Sequence, residues 1–262
     1  MSALIDYTLH LADNSLILGQ RNSEWCGHGP VLEQDIAITN ISLDLIGQAR
    51  NFYQYAAVLL NKKSAAKVSS GGGDSEGVGG EITEDSLAYL RKEREFKNCL
   101  LVEQPNGDWA QTMVRQFLFS QYQYLVYQQL QASSDETLAA IAAKALKEVT
   151  YHLRWSSEWV IRLGDGTDES HKRMLKAIDE LWRYTGELFI SVDYEKESEV
   201  DFTRLKEEWM NKVKEVFDEA ALTFPEKFFM QIGGKEGKHT EQLGYILTEL
   251  QYMQRAYPGC EW

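Results

Sequence analysis

Apolar or small residues recur at positions 32, 36, 39, 43, 46, 49, 53, 57 and 60, in steps of three and four. This is the rhythm of one helix face and predicts a long helix over 31–61, with Pro30 opening its first turn. Between Ile36 and Ile46 the chain is apolar nearly all round, which predicts a central rather than a peripheral helix. Residues 63–80, KSAAKVSSGGGDSEGVGG, lose the rhythm and read as a flexible surface loop rich in Gly and Ser. Further helices are expected over 85–101, from an Asp108 cap to about Gln131, and from Ser134 or Asp135 to Leu163, stopped by Gly164-Asp165-Gly166. Shorter ones should cover about 3–21, 168–190, 202–221 and 240–256.

Four long helices with mostly short connections predict an all-α chain, a single domain built as an antiparallel four-helix bundle with flanking helices. No internal repeat of fixed period favours a solenoid. Four prolines in 262 residues leave long stretches free of the residue that most damages a helix interior. A formal charge of −13 disfavours nucleic acid and anionic membranes as partners, since both need clustered Lys and Arg. The N-terminus carries Asp6 and Asp13 and lacks a basic start and a long apolar run, so neither signal peptide nor anchor is expected. Cys26, Cys99 and Cys260 lack metal-ligand spacing and suit a reducing compartment, so the cytoplasm is the expected location.

A helical bundle can hold two metal ions when two helices each give an inward Glu and two give Glu-x-x-His, which sets carboxylate and imidazole on one face. Asp44 is the only acid between Ile36 and Lys62 and would be either a ligand or half of a buried ion pair. Glu93 is followed three residues later by Phe96, which cannot ligate. WAQTMVRQFLFSQYQYLVYQQL, residues 109–130, contains no acid. Val149 stands three residues before His152, while Glu148 and His152 form an i,i+4 pair that could still share a face. The other histidines (His10, His28, His171, His239) fall at expected helix ends, turns or the outer first helix. The set reads as a lost site, with a Glu–His or Glu–Arg network in its place. A stand-alone metal-binding oxidase or iron-binding protein is the competing reading.

Two other stretches carry candidate chemistry. EWCGHGP places Cys26 two residues from His28, but two ligands are too few for zinc, and a tight glycine turn over Trp25 is the preferred reading. GGKEGKHTEQLG, residues 233–244, offers glycines, Lys235, Lys238 and His239 before a helix start, a possible phosphate cradle although not a P-loop. No Rossmann glycine pattern or nucleophile elbow appears.

Residues 11–57, 100–112 (LLVEQPNGDWAQT), 143–170 (AKALKEVTYHLRWSSEWVIRLGDGTDES) and 233–255 resemble the C-subunit family of the bacterial phenylacetyl-CoA 1,2-epoxidase. The resemblance implies a ferritin-like fold and no catalytic residue, metal or cofactor in this chain. It implies a homologous catalytic A subunit with a di-iron centre, a small B subunit, and a reductase carrying flavin and an iron–sulfur cluster and fed by NADPH. Together these would use O2 to epoxidise the aromatic ring of phenylacetyl-CoA. Asp44, Glu93, Glu148 and His152 would then be remnant ligand positions, and Lys235, Lys238 and His239 would be placed to meet the CoA phosphates.

Overall fold

A computed structural model describes residues 2–69, 81–225 and 229–260, and among them the regular structure is entirely helical. The helices are α1 (Ser2–Ser23), α2 (Leu32–Ser69), α3 (Glu84–Tyr89), α4 (Leu100–Glu103), α5 (Trp109–Leu130), α6 (Glu136–Gly164), α7 (Asp168–Leu181), α8 (Phe202–Glu219), α9 (Glu241–Leu250) and α10 (Tyr252–Ala256). Single 3-10 turns occur at Glu93–Glu95, Trp182–Tyr184, Gly186–Phe189, Asp193–Glu195 and Gly234–Glu236.

Local chemistry sets the helix starts. The Asp108 carboxylate accepts the Gln111 amide and caps α5, as the sequence predicts, and the Asp135 carboxylate accepts the Leu138 amide and caps α6, which decides between the two starts the sequence left open, Ser134 and Asp135. Thr167 and Ser170 form a reciprocal capping box that opens α7. α6 ends at Gly164, at the expected glycine stop.

The four long helices are α1, α2, α5 and α6. α1 packs along α2, α5 along α6, and α2 against α6, while α7 and α8 cover α5. Each of the first two pairs is joined by a short connection, so its members run antiparallel. One contiguous buried cluster draws on all of these helices, with Phe52, Phe117, Tyr127 and Trp209 among its largest members.

The structure corrects several expectations. α1, expected outside, takes the place in the core that the sequence assigned to a helix over 85–101. That segment is instead α3, a 3-10 turn, an extended stretch and α4. The amides of Lys97, Cys99 and Leu100 are taken by the side chains of Asp13, Asn14 and Glu187, so they are withdrawn from helical bonding. Residues 63–69 continue α2 rather than opening a loop, consistent with the good helix formers Lys63, Ala65, Ala66 and Lys67; the remainder of the expected 63–80 loop lies outside the described residues. α7 stops at Leu181 and gives way to 3-10 turns before residue 190, and the last helix breaks at Gln251. The α2 helix begins two residues after Pro30, not with it.

The apolar stripe on α2 is the largest departure. Ile38, Ile41, Leu45, Ala49, Phe52 and Ala56 face the core. Of the face read from the sequence, Ala49, Tyr53 and Ala57 are buried, but Leu32, Ile36, Leu43 and Ile46 are exposed, Leu32 by 71% and Leu43 by 62%.

Candidate functional site

Two rungs cross between α2 and α6. The imidazole Nε2 of His152 lies 3.0 Å from Asp44 Oδ2, and Gln48 Nε2 donates to Glu148 Oε2 at 2.9 Å. Asp44 and Gln48 are one turn apart, as are Glu148 and His152, so the pairs fit antiparallel helices in register. From α5, Gln123 Nε2 reaches Gln48 Oε1 at 3.2 Å and the Tyr127 hydroxyl at 3.0 Å, with Ser15 of α1 at 3.4 Å. The four long helices thus meet around a centre made of amides and hydroxyls, two carboxylates and one imidazole. His152 is fully buried, whereas the Asp44 side chain is 39% exposed beside the bare face of α2. Burial raises the Tyr127 phenol to about 12, which keeps it neutral and able to hydrogen-bond. Two polar atoms at this centre, His152 Nδ1 and Gln123 Oε1, have no partner.

The donor set does not fit a dimetal centre. Two hard cations need several anionic oxygens, and the inward positions on α2 and α5 hold the neutral amides Gln48 and Gln123. Among the described residues no group of three or more His, Cys, Asp or Glu side chains could hold a metal ion. The structure brings together Asp44, Glu148 and His152 of the four sequence candidates. Glu93 is exposed on a 3-10 turn outside the long helices, so it is not a ligand position of this centre. Cys26 and His28 sit in an exposed turn with Gly27 at φ +80°, as expected, and Trp25 packs edge-on against Trp109.

The 233–240 loop overturns the phosphate-cradle reading. Lys235 is only 1% exposed, and its ammonium pairs with Glu195 at 2.9 Å and with the Ile190 carbonyl at 3.1 Å. His239 is buried between Glu103 and the Phe96 carbonyl, so only Lys238 of the three is exposed. The glycines serve close backbone approach: a Cβ on Gly234 would collide with the Asn98 carbonyl, and one on Gly237 with that of Arg94. Gly237 also has φ +78°, which disfavours any side chain.

Sequence reasoning missed three further buried charge clusters. Asp13 binds Arg91, the Tyr53 hydroxyl and the Lys97 amide. Glu187 accepts the amides of Leu100 and Gly233. His10 donates to or accepts from its neighbours at Lys97 and Asn14 and lies 3.6 Å from Glu195. That carboxylate is already matched by Lys235, so desolvation prevails and His10 falls to about 3, neutral over the ordinary pH range. An acid inside an apolar helical run, such as Asp13, was the one available signal; Glu187 and Glu195 lie in segments without periodicity.

Comparison with known proteins gives a consistent answer. The family described as "Phenylacetic acid catabolic protein" matches residues 1–262. An Escherichia coli (strain K12) protein, named as the C subunit of 1,2-phenylacetyl-CoA epoxidase, is 47% identical over 267 residues that span all of both chains. With the match running from end to end, the chain belongs to the phenylacetic acid catabolic protein family.

Proposed function

We propose that this chain is a non-catalytic structural subunit of a multicomponent phenylacetyl-CoA 1,2-epoxidase, with its four long helices forming a ferritin-like bundle. Complex membership follows from its full-length likeness to the Escherichia coli epoxidase subunit. The observation that carries the non-catalytic role is the centre of the bundle: Gln48 and Gln123 occupy the inward positions where a dimetal site requires carboxylates. A hydrogen-bonded centre of this kind holds the helices together without supplying a Lewis acid or an oxidant. The di-iron centre would reside in a homologous catalytic A subunit, and the NADPH, flavin and iron–sulfur chemistry in a reductase. The assembly would also include a small B subunit.

The exposed stripe Leu32, Ile36, Leu43 and Ile46 is the surface suited to the A subunit, because a large apolar face on an acidic chain is stabilised by burial against another apolar face. Contact with the CoA phosphates at Lys235 and His239 has no geometric support, since both are held in buried ion pairs. The test is expression of this chain alone and together with the catalytic subunit, followed by anaerobic ferrous loading. Iron confined to the complex, with turnover only there, supports the proposal. Two tightly bound irons in the chain alone would overturn it and favour the metal-binding oxidase reading.

A further inference from the structure

The polar contacts of His239 define its protonation. Its Nδ1 faces Glu103 Oε2 at 2.9 Å, and its Nε2 faces the Phe96 carbonyl at 3.0 Å. Both neighbours act as acceptors, and a neutral imidazole has one N–H. Glu103 cannot provide the missing proton without losing bonds of its own. Its Oε2 also accepts from Asn98 Nδ2 at 2.9 Å, and its Oε1 accepts the Thr240 amide and hydroxyl, both at 2.7 Å. The Glu103 and His239 side chains are both fully buried. A buried carboxylate with this donor set requires a cation, and the doubly protonated ring supplies it.

The bond ties distant parts of the chain. Glu103 ends α4, and Thr240 is the residue before α9, so the carboxylate also sits at the positive end of that ten-residue helix. The loop it secures carries Lys235 into its buried pair with Glu195. Beyond it, α9 and α10 display Tyr245, Tyr252 and Met253 at the surface.

We propose that His239 is an imidazolium latch that fastens residues 233–256 to the Phe96–Glu103 segment, and that losing its proton loosens this C-terminal region. The charged and titratable groups around it are consistent with one cation at this position. From α4 comes Glu103. From α1 come Asp13, whose charge also favours the protonated ring, and Arg21, which is directed to the Glu103 backbone carbonyl and Gln242. Glu93 lies on the turn packed against α9, Tyr184 lies within the field of Glu103, and Lys238 and Glu241 flank the latch in sequence. The carboxylate and the Phe96 carbonyl together outweigh burial, so the ring holds its proton above the ordinary histidine range. The sign follows: the stabilisation is full below the unfolded-state value and is lost as pH rises through the higher folded-state value.

The test uses the full chain. Nitrogen-15 NMR of the His239 ring is recorded across pH alongside hydrogen exchange of the amides at 233–256, with α5 as internal reference. The expected result is a doubly protonated ring at neutral pH and protection that falls by up to about tenfold per pH unit between the unfolded-state histidine value and the ring's midpoint and levels off above it, while α5 is unaffected. In His239→Gln the same amides should be less protected at neutral pH and indifferent to pH over that window. A neutral ring at pH 7, or exchange at 233–256 that does not follow the ring's titration, or the same pH dependence in the variant, would overturn the proposal.

Discussion

Asp13 lies on α1 with its carboxylate removed from water, and every oxygen it has is used: Arg91 takes both, with the Tyr53 hydroxyl and the Lys97 amide completing the set. Arg91 also stacks over Phe96, so its cation is matched by charge and by an aromatic face. Removing one partner leaves the other charged and buried. Asp13→Asn and Arg91→Met should each reduce stability by about 3–5 kcal/mol in urea unfolding, whereas truncating the exposed Arg173–Glu169 pair should leave the urea midpoint nearly unchanged. His10 makes an opposite contribution to that of an ordinary paired histidine. Because its folded value is depressed to about 3, the unfolded chain binds its proton first as pH falls. Stability should therefore decline from about pH 6.5 towards pH 3, by an amount on the order of 4 kcal/mol from this group alone. His10→Gln should flatten that part of the pH–stability curve measured by denaturant titration.

The glycine-rich loop and the α9 helix that follows it show how the same residue type has opposite consequences in neighbouring elements. Gly237 is left-handed and its missing side chain makes room for the Arg94 carbonyl, so Gly237→Ala should destabilise by more than about 1 kcal/mol. Gly244 lies inside α9, where a methyl group would reach only the Glu93 carboxylate at 3.7 Å. Gly244→Ala should stabilise by about 0.5–1 kcal/mol, since it lowers the entropy of the unfolded chain without a clash. Thermal unfolding of the two variants side by side reads both signs. The α2–α6 pair makes a related point about spacing. Glu148 and His152, four residues apart, contact two different residues of α2, Gln48 and Asp44.

At the scale of the whole molecule, α2 is apolar on two faces but buries one. No helix among the described residues is long and apolar enough to cross a membrane, so the second face of α2 is not a spanning segment. In the proposed assembly a protein partner covers it, and the double substitution Ile36→Glu, Leu43→Glu is expected to leave the far-UV circular dichroism and the melting temperature of the isolated chain nearly unchanged. The same variant should lose co-purification with the catalytic subunit. Retention of the partner would place the contact elsewhere on the surface.

The Asp108 cap, the start of α6 at Ser134 or Asp135 and the stop at Gly164 were legible because caps depend on neighbours within one turn. The absence of acids from residues 109–130 was equally plain. Sequence periodicity also identified α2 as strongly apolar, but a helix apolar nearly all round does not declare which face meets its own chain. Only the packing of α1 and α6 against Ile38, Ile41 and Leu45 decided that Leu43 stays outside. The same holds for the pairs that join residues about 78 to 136 positions apart, Asp13 with Arg91 and Glu103 with His239. Local propensity chooses helix or turn from adjacent residues, whereas the partner of a buried charge is chosen by whatever the folded chain brings within hydrogen-bonding distance. Lys235 shows the difference: a lysine between glycines looks solvent-facing in the sequence, and tertiary structure placed its ammonium against Glu195 in the core.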